Sequence, residues 1–301
     1  TSAEPEPVHA HAHALEATRA CPVVCMTHGG LNDSLNVIWD CVQFVLSPRG
    51  RGREVVATLV EYAAAGSAST LWSVAFPMPG VHLRFCSVAD AEEIVRAARH
   101  AEPEGVLDAR WSSLAMNYEP RLDLSTCSTA ESTTLVYRRC GGGPNGIKVL
   151  RMLEMTEALA HRLACARDLL PDQYAALHVR NTDMASDPTV VDSILADLLA
   201  RHAHVVVFTD SASTRARLLA ASPRVHASAC FLDPHDKPQH GDGTRRESTL
   251  SDCVVDLCLC AHGTEFASSL PTTSGYSILA GALHREPITL ARFTRGVLGR
   301  R

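Results

Sequence analysis

The chain has 301 residues, of which 46% are apolar and 20% charged, and it carries a net charge of −5. That length accommodates two domains of ordinary size, and the balance is that of a globular protein rather than a disordered one. Aromatic residues make up only 5% of the chain and no basic tract occurs, which argues against a nucleic acid or an anionic membrane surface as partner.

Residues 1–20 read as a tail in which His9, His11 and His13 alternate with Ala. This is the pattern of a flexible polar segment more than of a metal site. The chain opens on Thr1 without a signal peptide, so we expect that an upstream segment has been removed. The longest apolar runs fall far short of a membrane span. Eleven cysteines are scattered along the sequence with no Cys-x2-Cys pair, which argues against a zinc ribbon and points to buried thiols. One or two disulfides stay open for an oxidising compartment.

Pro22 to Thr27 reads as a first strand, and His28-Gly29-Gly30-Leu31-Asn32-Asp33-Ser34 as the turn after it. Leu31, Leu35, Ile38, Val42 and Val45 recur at helical spacing, so a helix is predicted from about 31 to 46, stopped by Pro48-Arg49-Gly50. Strand, glycine turn and helix form an entry where backbone can approach an anion closely. The third glycine of a dinucleotide fingerprint is missing. Asn32-Asp33-Ser34 is formally a glycosylation sequon, read here as chance.

Residues 53–62 suit a strand or a short helix, 81–86 an alternating strand and 89–100 an amphipathic helix. Ala101 to Ser132 reads as loops. Thr133 to Tyr137 is a strand, and Gly141-Gly142-Gly143-Pro144-Asn145-Gly146 follows. Lys148 is one residue too late for a phosphate-binding loop, so the glycines read as a hinge. One long helix is predicted from Ile147 to Leu170. Strands at 174–179, 204–209, 225–231 and 264–268 then alternate with helices at 188–201, 212–221, 249–261 and 273–283, the pattern of a parallel sheet. Arg292, Arg295, Arg300 and Arg301 read as a solvated tail. The division expected is a tail at 1–20, an N-terminal α/β half at 21–145 and a C-terminal α/β half at 146–301.

The stretch Tyr174 to Asp183 starts apolar and stops abruptly in polar residues. A buried parallel strand of this kind delivers side chains to the mouth of an α/β sheet, where ligands bind. His178, Arg180 and Asp183 would lie at that edge, and Arg180 offers a planar fork for two phosphate oxygens. The second strand ends in Thr209-Asp210. Asp256 lies in an apolar helical run four residues after Asp252, which by itself suits a solvated stripe. Thr272, Thr273 and Ser274 precede a helix start and supply hydroxyls for an anion.

The order His178-x-Arg180-x-x-Asp183, Asp256, then Ser268 to Tyr276 resembles the donor-binding half of the GT-B fucosyltransferase superfamily. That group takes in the α1,6-fucosyltransferases, the nodulation fucosyltransferases and the protein O-fucosyltransferases. The resemblance covers roughly residues 174–290 and, more weakly, 26–46. It implies two Rossmann-like halves facing a cleft and an inverting, metal-independent transfer of fucose from GDP-fucose to a glycan or glycoprotein. No cofactor or metal is then expected.

It implies that Arg180 holds the β-phosphate and that Asp256 reads the guanine ring. Thr272, Thr273 and Ser274 would contact the phosphates, and Gly29, Gly30 and Asn32 would face the cleft. Thr209 and Asp210 line the pocket or cap the next helix. Met184 stands where the α1,6 group has Lys, and Pro188 where it has Glu. The general base is therefore sought in Asp187 or Asp33. Another nucleotide-sugar donor, or a degenerate non-catalytic binding protein on the same scaffold, is the alternative. The expected location is the Golgi or secretory lumen for a eukaryotic chain that has lost an anchor, and the cytoplasm for a bacterial one.

Overall fold

The computed structural model describes residues 21–59, 68–101, 106–110, 134–140, 142–181, 185–228 and 248–299. Two parallel sheets organise them. The first is built from β1 (Val23–His28), β2 (Glu54–Leu59), β4 (His82–Phe85), β5 (Val106–Arg110) and β6 (Thr134–Cys140), in the order β4-β2-β1-β6-β5. β1 lies at its centre and its first five residues are buried. That is why it reads as an uninterrupted apolar run and not as an alternation. α1 (Leu31–Leu46) covers one face with a broad apolar stripe and α2 (Val88–Ala101) the other.

The second sheet has the order β10-β9-β8-β11, made by β8 (Ala175–Val179), β9 (Val205–Thr209), β10 (Val225–Ala227) and β11 (Glu265–Ser268). Its intervening helices are α5 (Pro188–Arg201), α6 (Ala212–Ala221) and α7 (Ser248–His262). α8 (Gly275–His284) and α9 (Pro287–Phe293) complete it. These elements make the fold α/β with two Rossmann-like halves. The apolar core that α1 covers continues through α7 and α8 to Phe293.

Between the sheets, residues 147–170 do not form the single helix expected. They divide into α3 (Gly146–Leu150), β7 (Leu153–Met155) and α4 (Glu157–Asp168). Leu153 and Met155 are buried on either side of half-buried Glu154, an alternation of period two. β7 pairs antiparallel with β3 (Trp72–Val74), a strand without a sequence signal. Thr156 then caps α4, its side chain accepting from Leu159 N–H at 3.5 Å. α3 touches both α1 and α8 and so bridges the sheets.

Residues 292–299 of the basic C-terminus also pack on the fold and do not form a solvated tail, while Arg300 and Arg301 lie outside the described residues. Phe293 is fully buried with its ring 6.3 Å from that of Trp72, and Arg295 meets Glu154 at 2.8 Å. Residues 53–62, ambiguous in sequence, contain the strand β2 because each of its last five side chains is buried. Gly263 permits β11 to follow α7 closely: a Cβ there would lie 2.8 Å from the Ala176 Cβ.

Candidate functional site

β8, β9 and β11 are in register, Val179 opposite Thr209 and His178 opposite Ser268, so their carboxyl ends stop together. Arg180 and Asp210 follow directly. Arg180 Nη1 stands 3.0 Å from Asp210 Oδ2, with side chains 14% and 3% exposed. Asp210 Oδ1 accepts the Asn181 N–H at 2.8 Å. One carboxylate thus fixes both the guanidinium and the backbone that carries it, a charge-assisted arrangement in a poorly solvated place. Asn181 is held in turn by Thr214 at 2.6 Å and accepts the Ser186 N–H at 3.1 Å. Ser186 Oγ donates to the Arg180 carbonyl and lies 2.7 Å from Ser269 Oγ.

His178 is buried behind Arg180, its Nδ1 2.7 Å from Ser277 Oγ and its ring stacked 4.7 Å from Tyr276. Burial, with the Arg180 charge beside it, pushes its pKa down to about 3. The ring is neutral at pH 7. Ser277 Oγ is shared with Ser268 at 2.7 Å, and Ser274 caps α8 by accepting the Ser277 N–H at 3.4 Å. Thr272 and Thr273 are exposed in the turn just before. The first turn of α8 therefore faces the strand ends that carry Arg180.

Asp256 is buried, 4% exposed, and accepts a hydrogen bond from Ser228 Oγ just beyond β10. Asp252 is buried as well and pairs with Arg162. The solvated-stripe expectation for these two carboxylates is corrected by this. α7 is covered on its acidic side by α4 and by the end of β10, which sequence spacing does not report. Thr209 Oγ1 accepts the Ser211 N–H at 3.3 Å, a turn role. Asp183 lies outside the described residues.

The first half contributes the turn after β1. Gly29 has φ 98°, a left-handed conformation that suits only glycine. Asp33, in the first turn of α1, accepts the Gly30 N–H at 3.2 Å. Its carboxylate sits among three glycines: a Cβ at Gly142, Gly30 or Gly275 would lie 3.3, 3.5 or 3.6 Å from it. Burial raises the Asp33 pKa, against the lowering pull of the Gly30 N–H and of the Arg180 charge. Asp33 and Arg180, from opposite halves, thus share one electrostatic environment.

Asp187 is placed differently. It is exposed at the start of α5 and caps it, accepting from Thr189 N–H at 2.9 Å and Thr189 Oγ1 at 2.7 Å. These bonds lower its pKa. Asn32 is 3% exposed and its amide donates to the Gly143 carbonyl at 3.0 Å, so it faces the linker of residues 142–145 that follows β6. Asn36, Ser186 and Ser277 carry no motif and were not anticipated, and Ser269 was read only as part of the Ser268 to Tyr276 stretch, with no role of its own. For Asn36 a signal existed: a second amide one turn after Asn32 on an otherwise apolar stripe. Among the described residues, no three His, Cys, Asp or Glu side chains gather to hold a metal ion, and no helix is long and apolar enough to cross a membrane.

No protein-family model matches the chain, and no curated protein matches it by sequence. Solved structures do. The NodZ α1,6-fucosyltransferase co-crystallised with GDP is 13% identical with a TM-score of 0.54, over 88% of this chain and 92% of that one. Fucosyltransferase NodZ from Bradyrhizobium gives 13% identity and a TM-score of 0.53, over 87% of this chain and 92% of that one. POFUT1 in complex with GDP-fucose is 9% identical with a TM-score of 0.53, over 88% and 95% of the two chains. The chain has the GT-B-like fold of these fucosyltransferases.

Proposed function

We propose that the protein is an inverting glycosyltransferase that moves fucose from GDP-fucose to a hydroxyl of a glycan. The observation that carries this is the convergence of a fixed, poorly solvated arginine (Arg180, held by Asp210) with the first turn of α8 and with the half-buried carboxylate of Asp33. Cation, helix start and carboxylate are the three elements such a transfer needs. Neighbours of the same fold bind GDP or GDP-fucose, which supports the choice of donor.

In this reading the half comprising 146–301 holds the donor and the half comprising 21–145 meets the acceptor. The acceptor oxygen attacks the anomeric carbon as the bond from that carbon to the diphosphate oxygen breaks. The electron pair leaves with GDP, and Arg180, the α8 amides and the hydroxyls of Thr272 and Thr273 stabilise the charge that develops. Asp33 takes the acceptor proton. A carboxylate whose pKa is raised by burial is a better base at neutral pH than Asp187, whose lone pairs are engaged in a cap. Asp256 offers acceptors to the paired N–H donors of guanine, with Ser228 fixing one of its oxygens.

Calorimetric titration of GDP and of UDP tests the donor. Wild type is expected to take GDP in preference to UDP, and Arg180→Ala to weaken GDP by about 30-fold or more, the worth of hydrogen bonds to a charged group. Selective binding of UDP would transfer the reading to another nucleotide-sugar donor. No binding of either nucleotide overturns it.

A further inference from the structure

The linker between the two sheets is held on α1 by two buried amides. Asn32 Nδ2 and Asn36 Nδ2 both donate to the Gly143 carbonyl, each at 3.0 Å. Asn36 Nδ2 also reaches the Asn32 carbonyl at 2.7 Å, and Asn36 Oδ1 accepts the Asn145 N–H at 2.9 Å. Asn32 and Asn36 are 3% and 4% exposed. Neither residue is replaceable by a carboxylate here, because a carboxylate cannot donate to the Gly143 carbonyl.

The linker is shaped for this contact. Gly143 has φ 154°. A Cβ at Gly146 would lie 2.7 Å from Asn32 Oδ1 and 3.4 Å from Leu279 of α8, so only glycine lets α1, linker and α8 come together. The same closure brings Gly142 and Gly275 against the Asp33 carboxylate.

We propose that Asn32 and Asn36 form an amide latch that holds the linker between the two halves on α1, and that Asn36 is a positioning residue for Asp33. By clamping residues 143–145 on α1, the latch keeps Asp33 walled by Gly142 of the linker and Gly275 of α8. Both amides are engaged by the linker. Their task is to keep water away from a carboxylate that must stay basic. The groups that act on Asp33 on the described elements are the Gly30 N–H of its own turn and the Arg180 charge from the second half. The latch bonds neither of them, so opening it is expected to alter the solvation of Asp33 more than its charge environment. The catalytic consequence rests on the role proposed above for Asp33, whereas the effect on its titration does not.

The test is a carbon-13 NMR titration of aspartate-labelled protein, with Asp33→Asn identifying the resonance. Wild type is expected to titrate above an ordinary aspartate. Asn36→Ala opens the latch from α1, and Gly146→Ala opens it from the linker by displacing the Asn32 amide. Both are expected to move the Asp33 midpoint towards the ordinary value while GDP affinity stays within about twofold of wild type. Where transfer is measurable, kcat should fall about tenfold with KM for the donor unchanged, and the acid limb of the pH profile should move to lower pH.

A folded latch variant with an unmoved Asp33 midpoint overturns the proposal. So does a loss of GDP affinity as large as that of Arg180→Ala, which would mean collapse of the donor half. If Asn36→Ala fails to fold, Gly146→Ala decides alone, since it leaves every hydrogen-bonding group in place. Failure of wild type to bind GDP would remove the donor reading and leave the latch to be judged by the titration.

Discussion

Removing Asp210 separates two roles that one carboxylate performs. It sits 3% exposed against Arg180 Nη1 at 3.0 Å and accepts the Asn181 N–H at 2.8 Å. Breaking a buried ion pair from one side costs about 3–5 kcal/mol, because a charge is left in a poorly solvated place. Arg180 keeps 14% of its side chain exposed, so water recovers part of that and about 3 kcal/mol is expected for Asp210→Ala. Asp210→Asn retains an acceptor for Asn181 and should be milder by about 1–2 kcal/mol, the worth of one buried hydrogen bond. Urea unfolding of both variants measures these differences, and GDP titration supplies the functional sign. If Asp210 aims Arg180, both variants weaken GDP, by about tenfold for Asp210→Asn. If Asp210 merely competes with phosphate for the guanidinium, its removal tightens GDP. Tighter binding, or a stability within about 1 kcal/mol of wild type for Asp210→Ala, would refute the reasoning.

The pH dependence of stability should report on His178. Its folded pKa of about 3 lies below the ordinary value of 6.5, so between those values the unfolded chain binds a proton that the folded chain does not. Stability is then lost as pH falls from 6.5 towards 3, by up to about 1.4 kcal/mol per unit, and urea midpoints of His178→Gln across that range should show a flatter slope. Gly263→Ala places a methyl 2.8 Å from the Ala176 Cβ and 3.0 Å from its nitrogen. It is expected to cost about 1–3 kcal/mol, read as a lowered thermal midpoint with GDP affinity preserved.

Local pattern carried much of the architecture. The β1 strand, the Gly29 turn and the helix from Leu31 to Leu46 are legible because periodicity and glycine act within a few residues of one another. The alternation of strands and helices after Tyr174 is legible for the same reason, and so is the arrest of an apolar strand at Arg180, which marks a sheet edge whatever surrounds it. The tertiary structure decided what depends on partners distant in the chain. Val149, Leu150 and Leu153 satisfy helical spacing, yet β7 forms because β3, some eighty residues earlier, offers Leu153 to Met155 a strand to pair with. Asp252 and Asp256 share a stripe that α4 and the end of β10 cover, so their burial is invisible in α7 itself. Asn32, placed at the cleft by resemblance, bonds the Gly143 carbonyl, 111 residues away. Asp33 owes its raised pKa to burial, and glycines of the linker and of α8 stand beside its carboxylate. The residue types were therefore readable from the sequence. The desolvation that sets their chemistry was not, because it is produced by packing between segments that a sequence window never sees together.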